Sequence, residues 1–169
     1  SRRRLMNGDL LSIDVGVLYG DFFGDMARTV PVGKISAQAQ RQITVAKTCL
    51  SEACNLAREG KRLGDISSTI ERIAHDGHFS VVRDYVGHGI GRKLHEDPQI
   101  PNFGIPRPNI RLRKGMVLAI EPMLNAGTWE VESLPDKWTV VTKDRKLSVH
   151  FEDTVAITDN GPEILTRID

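Results

Sequence analysis

Four acidic side chains stand in this sequence where strands should be apolar. Asp14 sits within Ile13-Asp14-Val15, and Asp25 within Phe22-Phe23-Gly24-Asp25-Met26. Glu121 ends Met116-Val117-Leu118-Ala119-Ile120, and Glu152 interrupts Val149-His150-Phe151-Glu152-Asp153-Thr154-Val155. A buried carboxylate is costly unless it is paired or bound to a cation. His88 lies in Gly87-His88-Gly89-Ile90-Gly91, where small neighbours let a ligand approach the backbone closely, and His95 follows soon after. Taken singly, each has a bland reading: Asp21 and Asp25 as turn residues, Asp14 facing solvent, either histidine in a turn or on the surface. Taken together, Asp14, Asp25, His88, Glu121 and Glu152 form a set of four carboxylates and one imidazole. Such a charge in one pocket needs counterions, and two divalent cations would neutralise it. Oxygen-rich ligands with one nitrogen point to Mn, Fe, Co or Zn rather than to a thiolate site. The chemistry implied is metal-assisted hydrolysis, in which paired ions act as Lewis acid, nucleophile generator and template.

The elements that must position these residues are legible in outline. Residues 10–18 read as a strand and 22–32 as its antiparallel partner. A turn at Tyr19-Gly20 would set Asp14 and Asp25 directly opposite each other. Without a cation between them, two like charges so placed would destabilise the ladder. Ser36 caps a helix to about Arg58, with Ile43, Ala46, Leu50, Ala53, Cys54 and Ala57 as its apolar stripe. Asp65 caps a second helix, with Ile66, Ile70 and Ile73 on one face and Gly77 at its end. Gly87 to Gly91 is too rich in glycine for a helix or a comfortable strand interior, and 98–115, with four prolines, reads as loop. Met116 to Ile120 is a short strand. Trp138–Thr142 and Leu147–Thr158 are expected to pair as a second hairpin around Lys143-Asp144-Arg145-Lys146. Strands at both ends and a helix pair between them predict an α+β fold, antiparallel strands backed by helices.

Composition excludes several classes. At 169 residues and 18.8 kDa the chain fits one domain with a single core. Its 40% hydrophobic and 27% charged residues exclude disorder and fibrous repeats. A net charge of +1 gives no bulk electrostatic case for nucleic acid or membrane. Cys49 and Cys54 fall in a helical pattern, where buried reduced thiols are expected rather than a disulfide.

The chain resembles type I methionine aminopeptidases, of the pita-bread metallohydrolase fold, from Gly8 nearly to its end. The resemblance rests on Ser12-Ile13-Asp14-Val15, Gly24-Asp25, Tyr85-Val86-Gly87-His88-Gly89-Ile90-Gly91-Arg92, His95-Glu96, Gly115-Met116, Ile120-Glu121-Pro122-Met123, and Phe151-Glu152 followed by Thr154-Val155. It implies a curved antiparallel sheet backed by helices, and two divalent metal ions. Asp14 would be the bidentate ligand of one metal, Asp25 and Glu152 the bridging carboxylates, and His88 and Glu121 the completion of the other. His95 would contact the scissile carbonyl, Glu121 would also shuttle a proton, and Trp138 would lie near the methionine pocket. Leu94 stands where these enzymes usually have Phe. The implied activity is removal of the initiator methionine from nascent polypeptides in the cytoplasm, by a monomer.

Family members carry a substantial segment before the first ligand strand. Residues 1–169 are therefore expected to be most of a catalytic pita-bread domain, lacking the N-terminal part of its first half and leaving an apolar sheet face uncovered. Glu152-Asp153-Thr154-Val155 is similar to the aminopeptidase P and prolidase branch of the fold, which cleaves X-Pro bonds, whereas Glu121-Pro122-Met123-Leu124-Asn125-Ala126-Gly127 favours the methionine branch. A non-catalytic pita-bread binding module is the third reading. Arg107, Arg111, Arg113 and Lys114 could face ribosomal RNA in a transient association, although a solvated loop is the favoured reading, because four basic residues in such a segment are ordinary.

Overall fold

The computed structural model describes residues 4–104 and 110–167. It opens with β1 (Leu10–Tyr19) and β2 (Phe22–Pro31), an antiparallel hairpin. Gly20 and Asp21 form a two-residue turn, both at positive φ (54° and 69°), so that Tyr19 pairs with Phe22. That is the turn whose twist matches the flanking strands. It moves the register two residues from the one expected: Asp14 pairs with Ala27 and Asp25 with Gly16. A shift of two keeps both carboxylates on one face, as diagonal rather than direct neighbours.

α1 (Ala37–Leu56) starts at Ser36, whose hydroxyl accepts the Ala39 N–H at 3.1 Å. Its buried stripe contains every residue expected there, with Ala57 buried just beyond its end. α2 (Leu63–Asp76) begins one turn earlier than expected. Asp65 is inside the first turn and its carboxylate accepts the Arg62 N–H at 2.8 Å, so it caps backwards rather than standing at the cap. Ile66 and Ile70 are fully buried and Ile73 packs against the core from its rim. Cys49 and Cys54 are buried and free, and burial pushes both thiols up to about 12.

The rest of the chain builds sheet: β3 (Ser80–Val81), β4 (Gly87–Gly89), β5 (Glu96–Ile100), β6 (Val117–Ile120), β7 (Met123–Asn125), β8 (Val131–Ser133), β9 (Val140–Thr142), β10 (Ser148–His150), β11 (Asp153–Thr158) and β12 (Gly161–Ile164). The largest sheet runs β12-β11-β6-β4-β5, a second runs β10-β7-β3, and β8 pairs with β9. All of these ladders are antiparallel. β2 joins the large sheet through a bridge between Ala27 and Glu152. The two helices cover the sheets through a core that includes Leu50, Ile66, Ile70, Leu118, Ile120, Leu124, Phe151 and Val155.

Two expectations are corrected here. Gly87–Gly89 is a strand, wedged between β5 and β6. A Cβ on Gly87 would lie 2.4 Å from the Ala119 carbonyl oxygen, and one on Gly89 would lie 2.2 Å from that of Asp97. The glycines are thus the condition for this strand, because its neighbours leave room only for hydrogen. The expected 138–142/147–158 hairpin does not form. β9 pairs back onto β8, while 147–158 divides into β10 and β11, which belong to different sheets. The turn at 143–146 exists, but buried Val149, Phe151, Val155 and Ile157 commit the following strands to the core.

On the hairpin, Ser12, Asp14, Gly16, Asp25, Ala27 and Thr29 share one face by register. Ile13, Val15 and Val17 of the opposite face are exposed.

Candidate metal centre

Two strands and two connecting segments supply the residues of the cluster. β2 brings Asp25 and β4 brings His88. Glu121 follows β6, and Glu152 lies in the single-residue bridge between β10 and β11 that pairs with Ala27. Asp25, His88 and Glu152 are all buried, and a ligand atom from each lies within 4.8 Å of those of the other two. His88 Nε2 stands 3.9 Å from Asp25 Oδ2 and 3.7 Å from Glu121 Oε1. Its Nδ1 is 2.9 Å from the Gly89 carbonyl, which can only accept, so Nδ1 carries the proton and the Nε2 lone pair faces the acids. Asp25 is fixed through its backbone: the Thr154 hydroxyl accepts its N–H and donates to its C=O. Asn102 donates to the Glu121 carbonyl at 3.1 Å.

The fifth expected residue, Asp14, is exposed at the rim, where it lines a recess of about 330 Å³ with Glu121, His150, Ser12 and Tyr85. Its charge reaches inward, raising the carboxyl groups of both Asp25 and Glu152. Burial is the largest cause of the upward shift at Glu152, followed by the charges of Glu121, Asp25, Asp14 and Asp153, and together they push it up to about 9. Asp25 is likewise raised, first by burial and then by Asp14, with His88 opposing. Glu152 Oε1 is buried with no hydrogen-bond partner. A buried acid without a donor, crowded by other acids and faced by an imidazole lone pair, is an arrangement that a divalent cation would satisfy. These residues fit such an ion.

His95 is exposed, but its ring centroid lies 4.4 Å from that of His88, edge to face. The two histidines line a cleft together with Arg92, Lys93 and Gln99. Trp138 is 88% exposed just before β9 and lies outside the residues that line the Asp14 recess. Leu94 lies over Gly16, beside Asp25. Arg111, Arg113 and Lys114 are exposed, with Lys114 paired to Asp159, whereas Arg107 lies outside the described residues.

Two groups escaped the sequence reading. His150, two residues before Glu152, reaches the centre: its Nε2 is 3.5 Å from Glu121 Oε2 and 4.0 Å from Glu152 Oε2. Its signal was the period-two spacing from Glu152. Asp153 is fully buried and bound by Arg28, Arg167 and the Thr166 hydroxyl, while Arg28 also donates to the carbonyls of Ala27 and Glu152. This cluster fastens β2 to β11 behind the carboxylates.

A curved antiparallel assembly backed by two helices, with acids and a histidine gathered from separate strands, is the pita-bread arrangement. Residues 1–159 match the model of metallopeptidase family M24, and the chain belongs to that family. It is 53% identical over 164 residues to a methionine aminopeptidase of Clostridium perfringens, covering 97% of this chain and 66% of that protein. It is 50% identical over 166 residues to methionine aminopeptidase 1 of Bacillus subtilis, covering 98% and 67%. The chain thus spans about two thirds of the length of these curated relatives. A crystal structure of methionine aminopeptidase from Thermotoga maritima superposes with a TM-score of 0.93 at 48% identity, covering 96% of this chain and 65% of that one. A prolidase of Pyrococcus horikoshii superposes at 0.79 and 26% identity, covering all of this chain and 43% of its own. Among the described residues no helix is long and apolar enough to cross a membrane.

Proposed function

We propose that this chain carries the metal-binding part of a methionine aminopeptidase, which hydrolyses the first peptide bond of polypeptides beginning with methionine. The single observation that carries the reading is the buried cluster of Asp25, His88 and Glu152, with Glu121 and Asp14 beside it. Identity of about half to methionine aminopeptidases, against 26% to the prolidase, favours methionine over X-Pro substrates.

In this reading Asp14, Asp25, His88, Glu121 and Glu152 hold two divalent ions drawn from Mn, Fe, Co and Zn. When bound, such ions polarise a carbonyl and lower the pKa of water. The chain's own groups do the rest. His95, beside His88 at the mouth of the cleft, donates a hydrogen bond to the scissile carbonyl as negative charge develops on it. Glu121, which lines the Asp14 recess 3.7 Å from His88 Nε2, passes a proton to the departing amine. Trp138, exposed beside β9, whose Val140 and Val141 already line the recess, would have to turn inward to reach the methionine side chain. Nascent chains are the natural substrates, met in the cytosol by a monomer. Exposed Arg111, Arg113 and Lys114 are available for brief contact with the ribosome.

The test is hydrolysis of Met-Ala-Ser against Lys-Pro-Ser by the protein with added Co(II) or Mn(II). Release of methionine alone supports the reading. Cleavage before proline would move it to the X-Pro branch, and metal uptake with no turnover of either would favour a binding module.

A further inference from the structure

His150 is placed as carefully as the residues already assigned. The Thr29 hydroxyl accepts its backbone N–H at 2.8 Å and donates to its carbonyl at 2.9 Å, with Ser12 Oγ a further 2.8 Å away on the same oxygen. Thr29 Oγ1 has one proton, spent on the carbonyl, so Ser12 is the donor in that pair. This locks β10 against β2 and aims the imidazole across Glu121 and Glu152. Its Nε2 is buried and makes no hydrogen bond. At 3.5 Å and 4.0 Å from the two carboxylate oxygens, it is too far for good hydrogen bonds. The separation from Glu121 is close to that of two atoms sharing one cation, since two ligands at about 2.1 Å in tetrahedral geometry lie about 3.4 Å apart, and Glu152 stands about half an ångström beyond it. His88 repeats the pattern on the far side of Glu121, with its own Nε2 at 3.7 Å.

We propose that His150 is a metal ligand, supplying a second imidazole on the Glu121–Glu152 side of the centre. This rests on the reading of the cluster as a metal site. The consequence is selectivity. A centre of four carboxylates and two imidazoles favours Zn(II), Co(II) and Ni(II) over Mn(II) and Mg(II) more strongly than one with a single nitrogen.

The experiment loads the metal-free 169-residue protein with Co(II) and follows binding by titration and by visible absorption, in wild type, H150Q and E152Q. The expected result is that H150Q shifts the cobalt absorption bands and weakens Co(II) binding beyond the ~10–100-fold that losing an outer-sphere partner costs. Its Mn(II) affinity changes less, and its metal-free melting temperature stays close to wild type. If H150Q keeps the wild-type spectrum and affinity while E152Q loses uptake, the metal centre stands and His150 is not a ligand. If wild type itself takes up no Co(II), the centre and the proposal both fall. Should H150Q not fold, X-ray absorption of the fully Co(II)-loaded wild-type protein decides the matter: an average of one imidazole per metal ion supports the proposal, and one imidazole for every two ions overturns it.

Discussion

Asp25 and Thr154 lie 129 residues apart in sequence, yet one hydroxyl joins them twice, accepting the Asp25 N–H at 2.9 Å and donating to its carbonyl at 2.8 Å. Thr29 makes the same double contact with the backbone of His150. In both cases a threonine on one strand stands in for a ladder hydrogen bond that the neighbouring strand does not make. The residue so held points toward the carboxylate cluster.

Thr154→Val keeps the shape of the side chain and removes both hydrogen bonds, leaving a buried N–H and C=O without partners. Each such group costs about 1–3 kcal/mol, and relaxation toward water lowers the sum, so a loss of ~2–3 kcal/mol is expected by urea denaturation. Metal affinity falls with it, because Asp25 is no longer fixed. Thr154→Ser should recover most of both.

Asp153→Asn removes the charge that holds Arg28 and Arg167. Breaking a buried ion pair costs ~3–5 kcal/mol, and because both arginines can turn partly to solvent the expected cost lies at or below the bottom of that range. Chemical denaturation measures it. A change within error would show that the cluster is not what fastens β2 to β11.

Stability without metal should fall as pH rises. Glu152 is pushed up to about 9 from an ordinary 4.5, so between these values the folded chain holds a proton that the unfolded chain has released. The contribution of this group is complete below pH 4.5 and is lost as pH climbs through about 9, and Asp25 acts in the same direction. Melting temperatures in EDTA should therefore decline from pH 5 to pH 9, with a flatter profile in Glu152→Gln. Metal binding requires the ionised carboxylates, so the stabilisation by added Co(II) or Mn(II) should widen over the same range.

Gly89→Ala would drive a methyl group to 2.2 Å from the Asp97 carbonyl oxygen. Backbone must move, at a cost at or above the ~1–3 kcal/mol typical of overpacking, and His88 moves with it. Differential scanning fluorimetry and Co(II) titration should both register the change. Gly24→Ala, where a Cβ meets nothing within 4 Å, is the control and should be nearly silent.

Much of this was legible in the sequence, because acids inside apolar strands carry their own explanation. Asp14, Asp25, His88, Glu121 and Glu152 were identifiable as intruders, and the helices by their periodicity and the cap at Ser36. What was not legible depends on contacts between distant segments. The Asp14–Asp25 register hinged on a two-residue turn in which both residues take positive φ. β4 looked unfit for a strand because the carbonyls that demand its glycines belong to neighbouring strands, Asp97 on β5 and Ala119 on β6, whose approach the local sequence does not reveal. The strand at 138–142 had two possible partners, and the core's claim on Val149 and Val155 decided between them. His150 was not legible because nothing local marks it, and its hold on the site passes through Thr29, 121 residues away.

Anomalous diffraction from crystals of this protein grown with Co(II) or Mn(II), collected at the metal edge, tests the central claim most directly. The account predicts two peaks within bonding distance of Asp14, Asp25, His88, Glu121 and Glu152. Peaks elsewhere on the surface, with these side chains bare, would contradict it.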